Sequence, residues 1–416
     1  MHILFLSHYF VPENNAPAAR VHGMAKEWAR LGHRVTVLTG APNVPAGVVY
    51  EGYRNRLYQE EWIEGIRTAR VWTYLAANRG RVRRGLNFLS YMAAAGAAGS
   101  ALRPRADVVI ATSPQFFAGW AGVPVSRAHG APLVLEIRDI WPDSITAVGA
   151  LKEGRVVRAL EGLERALYDA ADHIVAVGEG YRQNMIRKGV PAAKIDVVTN
   201  GVDADLFTPR PADAALRERL GFAPHTFVVT FAGTIGMASG LDVALGAARR
   251  LKEQGRDDVA FLLIGDGAVR AELEEQARAQ GLENVVFTGL VARAELPGYL
   301  ASSDACLVSM RDEALFSTVL PSKIFEDAAM EKPIIAGLRG EGSAIIAAAD
   351  CGIVVAPGDD AALAAAVERL ADDPEEGRRL GRNGRRVVLE HYDRRTLAHD
   401  YLAILERVRA DHETRR

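Results

Sequence analysis

Apolar positions along this chain alternate between short runs of strand length and longer stretches in which they recur at helical spacing. The short runs in the first half are rich in β-branched residues, and glycine, proline or polar residues bound each one, which is typical of buried parallel strands. They lie at residues 2–9, 34–40, 107–112, 132–138, 173–177 and 195–199. Between the first two runs, Val21, Met24 and Trp28 recur at helical spacing. This alternation predicts a doubly wound α/β unit in which helices cover a parallel sheet.

A second series of the same kind follows residue 225. Its strand candidates are residues 227–233, 260–267, 285–289, 305–309, 333–337 and 352–357. The stretch TPRPADA (208–214) contains two prolines and suits a linker, and a terminal helix candidate over about 394–410 has no strand after it. We predict one domain over residues 1–205, joined by a returning C-terminal helix (392–416), and a second domain over residues 206–391.

The length and composition agree with two soluble cores. A chain of 416 residues exceeds what one ordinary core holds, and 49% hydrophobic with 25% charged residues is typical of soluble globular proteins. The net charge of -2 gives no overall attraction to nucleic acid, for which no binding module is visible. The first apolar run is short for a secretory signal, and no run of about 20 apolar residues occurs, so a cytoplasmic protein is expected.

The cysteines and acidic residues give no pattern of metal ligands. Cys306 and Cys351 both fall in apolar, strand-like runs and are expected to be free, buried thiols in a reduced compartment. No His/Cys cluster has ligand spacing. The acidic pair Asp203 and Asp205 lies near the predicted hinge. We therefore expect no bound metal and no cofactor.

The most informative stretch is VLPSKIFEDAAMEKPIIAG (319–337). Pro321 suits the first turn of a helix, which places Ser322 and Lys323 at the helix start and Glu326 one turn further on. Amides at a helix start favour anions, and Lys323 adds positive charge for a diphosphate. The carboxylate of Glu326 could accept both hydroxyls of a ribose. The alternative is a capped surface helix with a Glu–Lys pair.

A glycine-rich turn in the same half is a second candidate for phosphate contact. In FAGTIGMASGLD (231–242), Gly233, Thr234 and Gly236 follow a predicted strand, and the glycines permit close approach of the backbone to a phosphate. The alternative is an ordinary turn.

Candidate residues of the first domain follow its predicted strands. His8 ends the first strand, and Arg20 in PENNAPAAR (12–20) is near the start of the following helix. We expect both on the acceptor or phosphate side. The alternatives are a packed loop histidine and a surface arginine.

Arg138 and Asp139 in IRDIWPDSI (137–145) follow another strand. Asp139 could orient a sugar or an acceptor hydroxyl. The alternative is a structural Arg–Asp pair.

These motifs, in this order and spacing over nearly the whole chain, resemble glycosyltransferase family 4 (group 1), and in particular its branch that builds bacterial surface polysaccharides. The resemblance implies the GT-B fold, in which two Rossmann-like domains face a central cleft. Glu326 matches the family glutamate that binds the donor ribose, whereas Thr318 stands where a second glutamate is usual. Arg138 stands where family members commonly have a histidine near the reacting sugar. Thr234 and Ser239 lie near the positions where many relatives have an arginine and a lysine in this loop.

The resemblance also implies the reaction. We expect retaining transfer of a hexose or acetamido sugar from a nucleotide sugar, with UDP favoured, to a lipid-linked or glycan acceptor. Arg138, Asp139 and Lys323 are the expected catalytic residues, and the departing phosphate is expected to take the acceptor proton without metal. Two alternatives stay open, a nucleotide-sugar epimerase of the same fold and a non-catalytic nucleotide-sugar-binding protein.

Charge is uneven in one segment. Residues 65–106 contain eight arginines and no acidic residue, interleaved with large apolar side chains such as Trp72, Tyr74 and Leu86. A basic, aromatic-rich helical surface can lie on anionic lipid. We therefore expect peripheral contact with the inner face of the cell membrane. The alternative is a solvated arginine face over an ordinary core helix.

Overall fold

A computed structural model describes residues 1–13, 15–76, 81–113, 116–143 and 154–416. Asn14, Arg79 and residues 144–145 of the motifs above lie outside the described residues, as does the side chain of Arg81.

The chain forms two compact units. One comprises Met1–Thr199 with Arg394–Arg416, and the other comprises Asn200–Asp393. The first break lies six residues before the predicted boundary, because Val202 belongs to the second unit. Its backbone N–H donates to the carbonyl of Tyr392 at 2.9 Å, and its side chain is buried in a core cluster with Phe325.

The first unit is built on an eight-stranded sheet. Its strands are β1 (His2–Leu6), β2 (Arg34–Gly40), β3 (Tyr58–Ile63), β4 (Ile66–Val71), β5 (Val108–Thr112), β6 (Leu133–Ile137), β7 (His173–Ala176) and β8 (Ile195–Val197). Their order is β3-β4-β2-β1-β5-β6-β7-β8, and every pair is parallel except β3 with β4. All six predicted strands are present.

The β3–β4 hairpin was not predicted from the sequence. Strand β3 is an edge strand that alternates exposed and half-buried positions, so it has no buried apolar run to reveal it. Strand β4 lies inside the predicted basic helical segment, which is therefore helical only in its second half. Arg67 and Arg70 of β4 pair with Glu60 and Glu61 of β3, so two of the eight arginine charges are compensated.

Helices cover this sheet. They are α1 (Ala16–Arg30), α2 (Arg81–Ala101), α3 (Phe116–His129), α4 (Arg155–Ala170) and α5 (Glu179–Arg187). The Asn15 side chain caps α1 by accepting a hydrogen bond from the N–H of Ala18 at 2.9 Å, as expected of an N-cap asparagine. Buried Trp28 anchors α1 in the core.

The second unit repeats the arrangement with six parallel strands. These are β9 (Phe227–Ala232), β10 (Val259–Ile264), β11 (Val285–Gly289), β12 (Ala305–Ser309), β13 (Ile334–Gly337) and β14 (Gly352–Val355), in the order β11-β10-β9-β12-β13-β14. Its helices are α6 (Ala214–Arg219), α7 (Asp242–Glu253), α8 (Arg270–Ala279), α9 (Leu296–Ala301), α10 (Lys323–Ala329), α11 (Glu341–Ala348), α12 (Asp360–Asp372) and α13 (Pro374–His391). Short 3₁₀ turns occur at Ala192–Lys194, Met237–Ser239 and Ala314–Thr318.

The last helix returns to the first unit. Helix α14 (Arg394–Thr414) packs on α1, where the indole N–H of Trp28 donates to the carbonyl of Ala398 at 2.8 Å. The rings of Trp28 and Tyr401 meet edge to face with centroids 5.4 Å apart. The predicted free cysteines, Cys306 and Cys351, are both buried thiols.

Strand order locates the candidate sites. In each sheet the order in which successive strands are added reverses at the middle, between β1 and β5 in the first sheet and between β9 and β12 in the second. Ligands of open α/β sheets bind outside the carboxyl ends of strands at such a point. His8 follows β1 and Arg138 follows β6 in the first unit, and Gly233 follows β9 in the second.

Candidate functional site

In the second unit, the ammonium of Lys323 is the central feature of the candidate site. Lys323 begins α10, and its Nζ lies 3.4 Å from the centroid of the Phe231 ring in β9. A Cβ placed on Gly233 would lie 2.9 Å from this Nζ. Gly233 therefore leaves the room that the ammonium occupies. Within the part of the chain that the structure describes, Lys323 Nζ makes no hydrogen bond and no ion pair.

Burial tunes the charge at this position. Desolvation lowers the pKa of Lys323 to about 8, although the nearby carboxylates of Asp327 and Glu326 oppose that shift. Desolvation also raises the pKa of buried Asp327, whose carboxyl contacts the Cys306 thiol. An anion bound beside Lys323 would favour the charged ammonium and raise its pKa again. The position therefore suits a group that brings its own negative charge.

Glu326 is held by an arginine that sequence analysis missed. Its Oε1 accepts a hydrogen bond from Arg293 Nη2 at 2.7 Å, and the Arg293 guanidinium lies over the Phe207 ring, 5.2 Å from the centroid. Oε2 of Glu326 has no hydrogen-bond partner among the residues described. The predicted alternative, a pair between Glu326 and Lys323, is therefore wrong, and a carboxylate oxygen is left for a hydroxyl.

The glycine turn after β9 is built by close backbone contacts. Gly233 has φ +150°, and a Cβ on Gly265 would lie 1.9 Å from the carbonyl oxygen of Gly233, so only glycine fits at position 265. Thr234 is exposed, and Gly236 precedes the 3₁₀ turn, where its carbonyl accepts from the Ser239 hydroxyl at 2.6 Å. The turn thus has a structural role, and its predicted phosphate contact stays a prediction.

Ser322 and Thr318 flank the start of α10. Ser322 occupies the N-cap position but makes no side-chain cap hydrogen bond. Thr318, which stands where the family has a glutamate, donates its hydroxyl to the carbonyl of Leu315 at 2.7 Å. Thr318 therefore stabilises its own turn and supplies no carboxylate.

In the first unit, Arg20 is a buried partner of Glu136. Nε of Arg20 donates to Glu136 Oε1 at 2.8 Å, and its two terminal nitrogens donate to the carbonyls of Val198 and Thr199. Burial alone would raise the pKa of Glu136, but the charges of Arg20 and Arg138 hold it below its ordinary value. The predicted alternative of a surface arginine is wrong. Each guanidinium nitrogen of Arg20 donates a hydrogen bond within the unit, and its expected place on the acceptor or phosphate side stays a prediction.

Arg138 provides the unsatisfied charge at this edge. Its backbone N–H and that of Asp139 donate to Ser113 Oγ at 2.6 and 3.3 Å. Nε and Nη1 of Arg138 are buried and have no hydrogen-bond partner among the described residues. Burial lowers the pKa of Arg138 to about 10, with Glu136 opposing the shift. Asp139 is not a hydrogen-bond partner of either nitrogen. The structural Arg–Asp pair that was the alternative is therefore not formed through Nε or Nη1 of Arg138.

His8 is tightly packed at the end of β1. Its side chain is buried, and its ring contacts Phe88 and Tyr91 of α2 at centroid distances of 5.7 and 4.7 Å. Burial lowers the pKa of His8 to about 4. The imidazole is therefore neutral near pH 7 and only a weak base, and its predicted place on the acceptor side is not tested by these contacts.

No group of three or more His, Cys, Asp or Glu side chains is suitably placed to hold a metal ion in residues 1–13, 15–76, 81–113, 116–143 and 154–416. Over the same described ranges, no helix has the length and apolar character that crossing a membrane requires.

Two Rossmann-like units, each with a parallel sheet whose strand order reverses at its middle, define the GT-B class of fold. Residues 15–201 match the family model of the glycosyl transferase 4-like domain, and residues 226–373 match that of the glycosyl transferases group 1. The chain belongs to this family of group 1 glycosyltransferases, as the sequence motifs predict.

Individual relatives agree with this assignment. The chain is 29% identical over 313 residues to WcaI of Escherichia coli strain K12, a glycosyl transferase assigned to colanic acid biosynthesis; the match covers 73% of this chain and 75% of the relative. Sucrose-phosphate synthase from Thermosynechococcus elongatus has a similar structure, with TM-score 0.79 and 18% identity over 99% of both chains. HepE of Anabaena, solved with UDP-glucose, gives TM-score 0.72 and 19% identity over 98% of this chain and 99% of HepE. These structures confirm the predicted GT-B fold.

Proposed function

We propose that this enzyme is a retaining glycosyltransferase that moves a hexose or an acetamido sugar from a UDP-sugar to a lipid-linked or glycan acceptor in surface polysaccharide synthesis. The observation that carries the proposal is the unpaired ammonium of Lys323, which lies against Gly233 at the start of α10 with Glu326 one turn away. The relative WcaI supports the pathway, and the likeness to HepE, which was solved with UDP-glucose, supports the donor.

In the proposed donor site, one side chain binds the diphosphate of the nucleotide and another binds its ribose. Lys323 and the amides at the start of α10 would stabilise the negative charge of the diphosphate. Glu326, oriented by Arg293 through their 2.7 Å hydrogen bond, would accept from the ribose hydroxyls. The charge on Lys323 matters most when the sugar departs, because the diphosphate then gains negative charge.

The retaining step needs no nucleophile from the protein. The bond between the anomeric carbon and the diphosphate oxygen breaks, and the acceptor oxygen bonds to the same face of that carbon. The acceptor proton passes to the departing diphosphate. The protein then contributes positioning and charge stabilisation, for which we propose Lys323 in the second unit and Arg138 with Asp139 in the first. Lys323 supplies the positive charge that a metal would otherwise provide, so metal-independent activity is part of the proposal.

A lipid-linked acceptor at the inner membrane face is supported by α2. Arg83 and Arg84 are exposed near its start, and Val82, Leu86 and Leu89 are exposed on the same helix. Exposed arginines interleaved with apolar side chains suit contact with anionic lipid, worth about 1 kcal/mol per basic residue near the surface. The association would be peripheral and sensitive to salt.

Incubation with the UDP-sugar alone and then with a lipid-linked acceptor tests this function. A transferase releases UDP and forms a glycosylated product only when the acceptor is present. Conversion of the donor sugar without acceptor would support the epimerase alternative, and nucleotide binding without turnover of any donor would support a binding protein. The group 1 transferase family to which the chain belongs favours the first result.

A further inference from the structure

Helix α2 carries an exposed apolar stripe. Val82, Leu86, Leu89, Ala93 and Ala97 recur at helical spacing and share one face. All are exposed, with 77% of Val82, 47% of Leu86 and 42% of Leu89 accessible to solvent. At 1.5 Å per residue the stripe is about 22 Å long. A continuous apolar surface of this kind on a soluble unit indicates a binding surface.

The stripe continues into a groove between α2 and α3. The groove has a volume of about 690 Å³, and its lining includes Ala93 and Ala97 of α2, Phe117 and Trp120 of α3, and Leu163 of α4. The lining is apolar or aromatic except for Ser100 and the indole N–H of Trp120, which is buried and has no hydrogen-bond partner among the described residues. An open groove lined this way suits a single slender apolar ligand, because contact with the groove removes one side of such a ligand from water.

The other end of the stripe is basic and lies beside the predicted acceptor edge. Arg83 is exposed there and flanks the stripe, whereas Arg84 is exposed on the opposite face of α2, with its guanidinium 5.7 Å from the Phe88 ring centroid. Phe88 in turn packs on His8 at the carboxyl end of β1. No acidic residue occurs from Gly65 to Ala106. An anion attached to an apolar chain would therefore find a cation at the start of α2 and an apolar track leading away from it.

We propose that the α2 stripe and its groove bind the hydrocarbon chain of a lipid diphosphate, with the diphosphate beside Arg83 at the start of α2. The inference rests on the proposed function in taking this lipid as the acceptor's carrier. The stripe fixes the path of the chain, and the groove binds its far part. A guanidinium group suits the head because its fork binds phosphate oxygens.

Binding of alkyl diphosphates without any sugar tests the inference, because it needs no turnover. Dissociation constants are measured by titration calorimetry for chains of increasing length, each below its micelle concentration and without vesicles. We expect affinity to rise with chain length, by up to about fourfold per buried methylene, until the groove is full. Inorganic diphosphate is expected to bind weakly.

A variant with a filled groove should lose the dependence of affinity on chain length that the parent shows. Ala97→Trp places a large side chain at an exposed groove position, so the fold should survive, as its unfolding temperature will show. It should abolish the gain in affinity with chain length and leave the shortest probe unaffected. The matched control is Leu57→Trp, since Leu57 is 84% exposed and outside the groove. This control should behave as the parent does.

The outcomes separate the inference from the proposed function. The proposal that the groove binds the chain would be overturned if the affinity of the parent does not depend on chain length. It would also be overturned if the gain in affinity with chain length persists in Ala97→Trp. A gain seen only with vesicles would assign the stripe to the bilayer surface and also overturn it. If the chain-length gain depends on Ala97 but no sugar transfer occurs, the groove stands and the proposed function fails.

Discussion

Replacing Lys323 by methionine should distinguish the binding of the diphosphate from the binding of the nucleoside. Lys323→Met keeps an unbranched side chain against the Phe231 ring and removes the ammonium that α10 places beside Gly233. Affinity for UDP should fall, whereas affinity for uridine, which has no phosphate, should stay within about twofold. The fold should persist, because burial raises the pKa of Asp327, so its carboxyl can take up a proton once the ammonium is gone.

The size of the effect follows from charge and burial. Two unit charges 4 Å apart interact by about 4 kcal/mol at an effective dielectric of about 20, but Lys323 is only half-buried and loses hydration when it binds. A hydrogen bond to a charged group contributes about 1.5–3 kcal/mol. That range corresponds to UDP binding weakened by about 10- to 150-fold.

The same side chain predicts a dependence on pH. Desolvation lowers the pKa of Lys323 to about 8, so its charge is present at pH 7 and is lost as the pH rises through that value. UDP affinity of the parent should therefore decline between pH 7 and pH 9, beyond any change seen with uridine. Lys323→Met should show no such decline.

Titration calorimetry with UDP and uridine at both pH values measures these effects. The control variant is Lys252→Met in α7, since Lys252 is an exposed lysine of the same unit that donates to the carbonyl of Gly281. Equal losses for UDP and uridine in Lys323→Met, in a folded protein, would place Lys323 away from the phosphates and refute the reasoning.

Three further predictions concern the ribose, metals and membranes. Glu326→Ala should weaken UDP binding by about 1.5–3 kcal/mol per lost charged hydrogen bond. Arg293→Gln should reduce the preference for UDP over 2′-deoxy-UDP. An unchanged preference in calorimetry would show that Arg293 does not orient Glu326. Transfer activity should persist in EDTA, and complete loss of activity restored by Mg²⁺ or Mn²⁺ would contradict this. The parent should sediment with anionic vesicles at low salt and be released at high salt, and the double substitution Arg83→Gln with Arg84→Gln should reduce binding; equal sedimentation would identify α2 as a merely solvated face.

Periodicity was enough to predict the two sheets, because buried parallel strands are continuous apolar runs. It could not reveal β3, an edge strand whose alternate positions are exposed. The same hairpin explains why the charge of the basic segment was overestimated. Arg67 and Arg70 find their partners on β3, and only the fold brings those residues together.

The candidate site was predictable in part for a similar reason. Ser322, Lys323 and Glu326 lie within one helix start, so their proximity follows from local sequence. Arg293 precedes Glu326 by 33 residues and belongs to no motif, so nothing in its local pattern could mark it as the partner. The burial of Arg20 could not be predicted, because its partner, Glu136, is 116 residues away and lies inside an apolar strand.

The apolar groove depends on three helices and could not be read from any one of them. Ala93 and Ala97 look like ordinary core positions of α2, yet both are exposed. Only the fold shows that these two residues line a groove together with residues of α3 and α4.

Proton NMR of one reaction can follow the retaining transfer of a sugar from a nucleotide donor. The enzyme is incubated with an α-linked UDP-sugar and a lipid-linked acceptor, and the anomeric signals of donor and product are followed with the release of UDP. We expect an α-linked product, formed together with one UDP per sugar transferred and only when acceptor is present. A β-linked product, or an altered donor sugar without acceptor, would contradict this expectation.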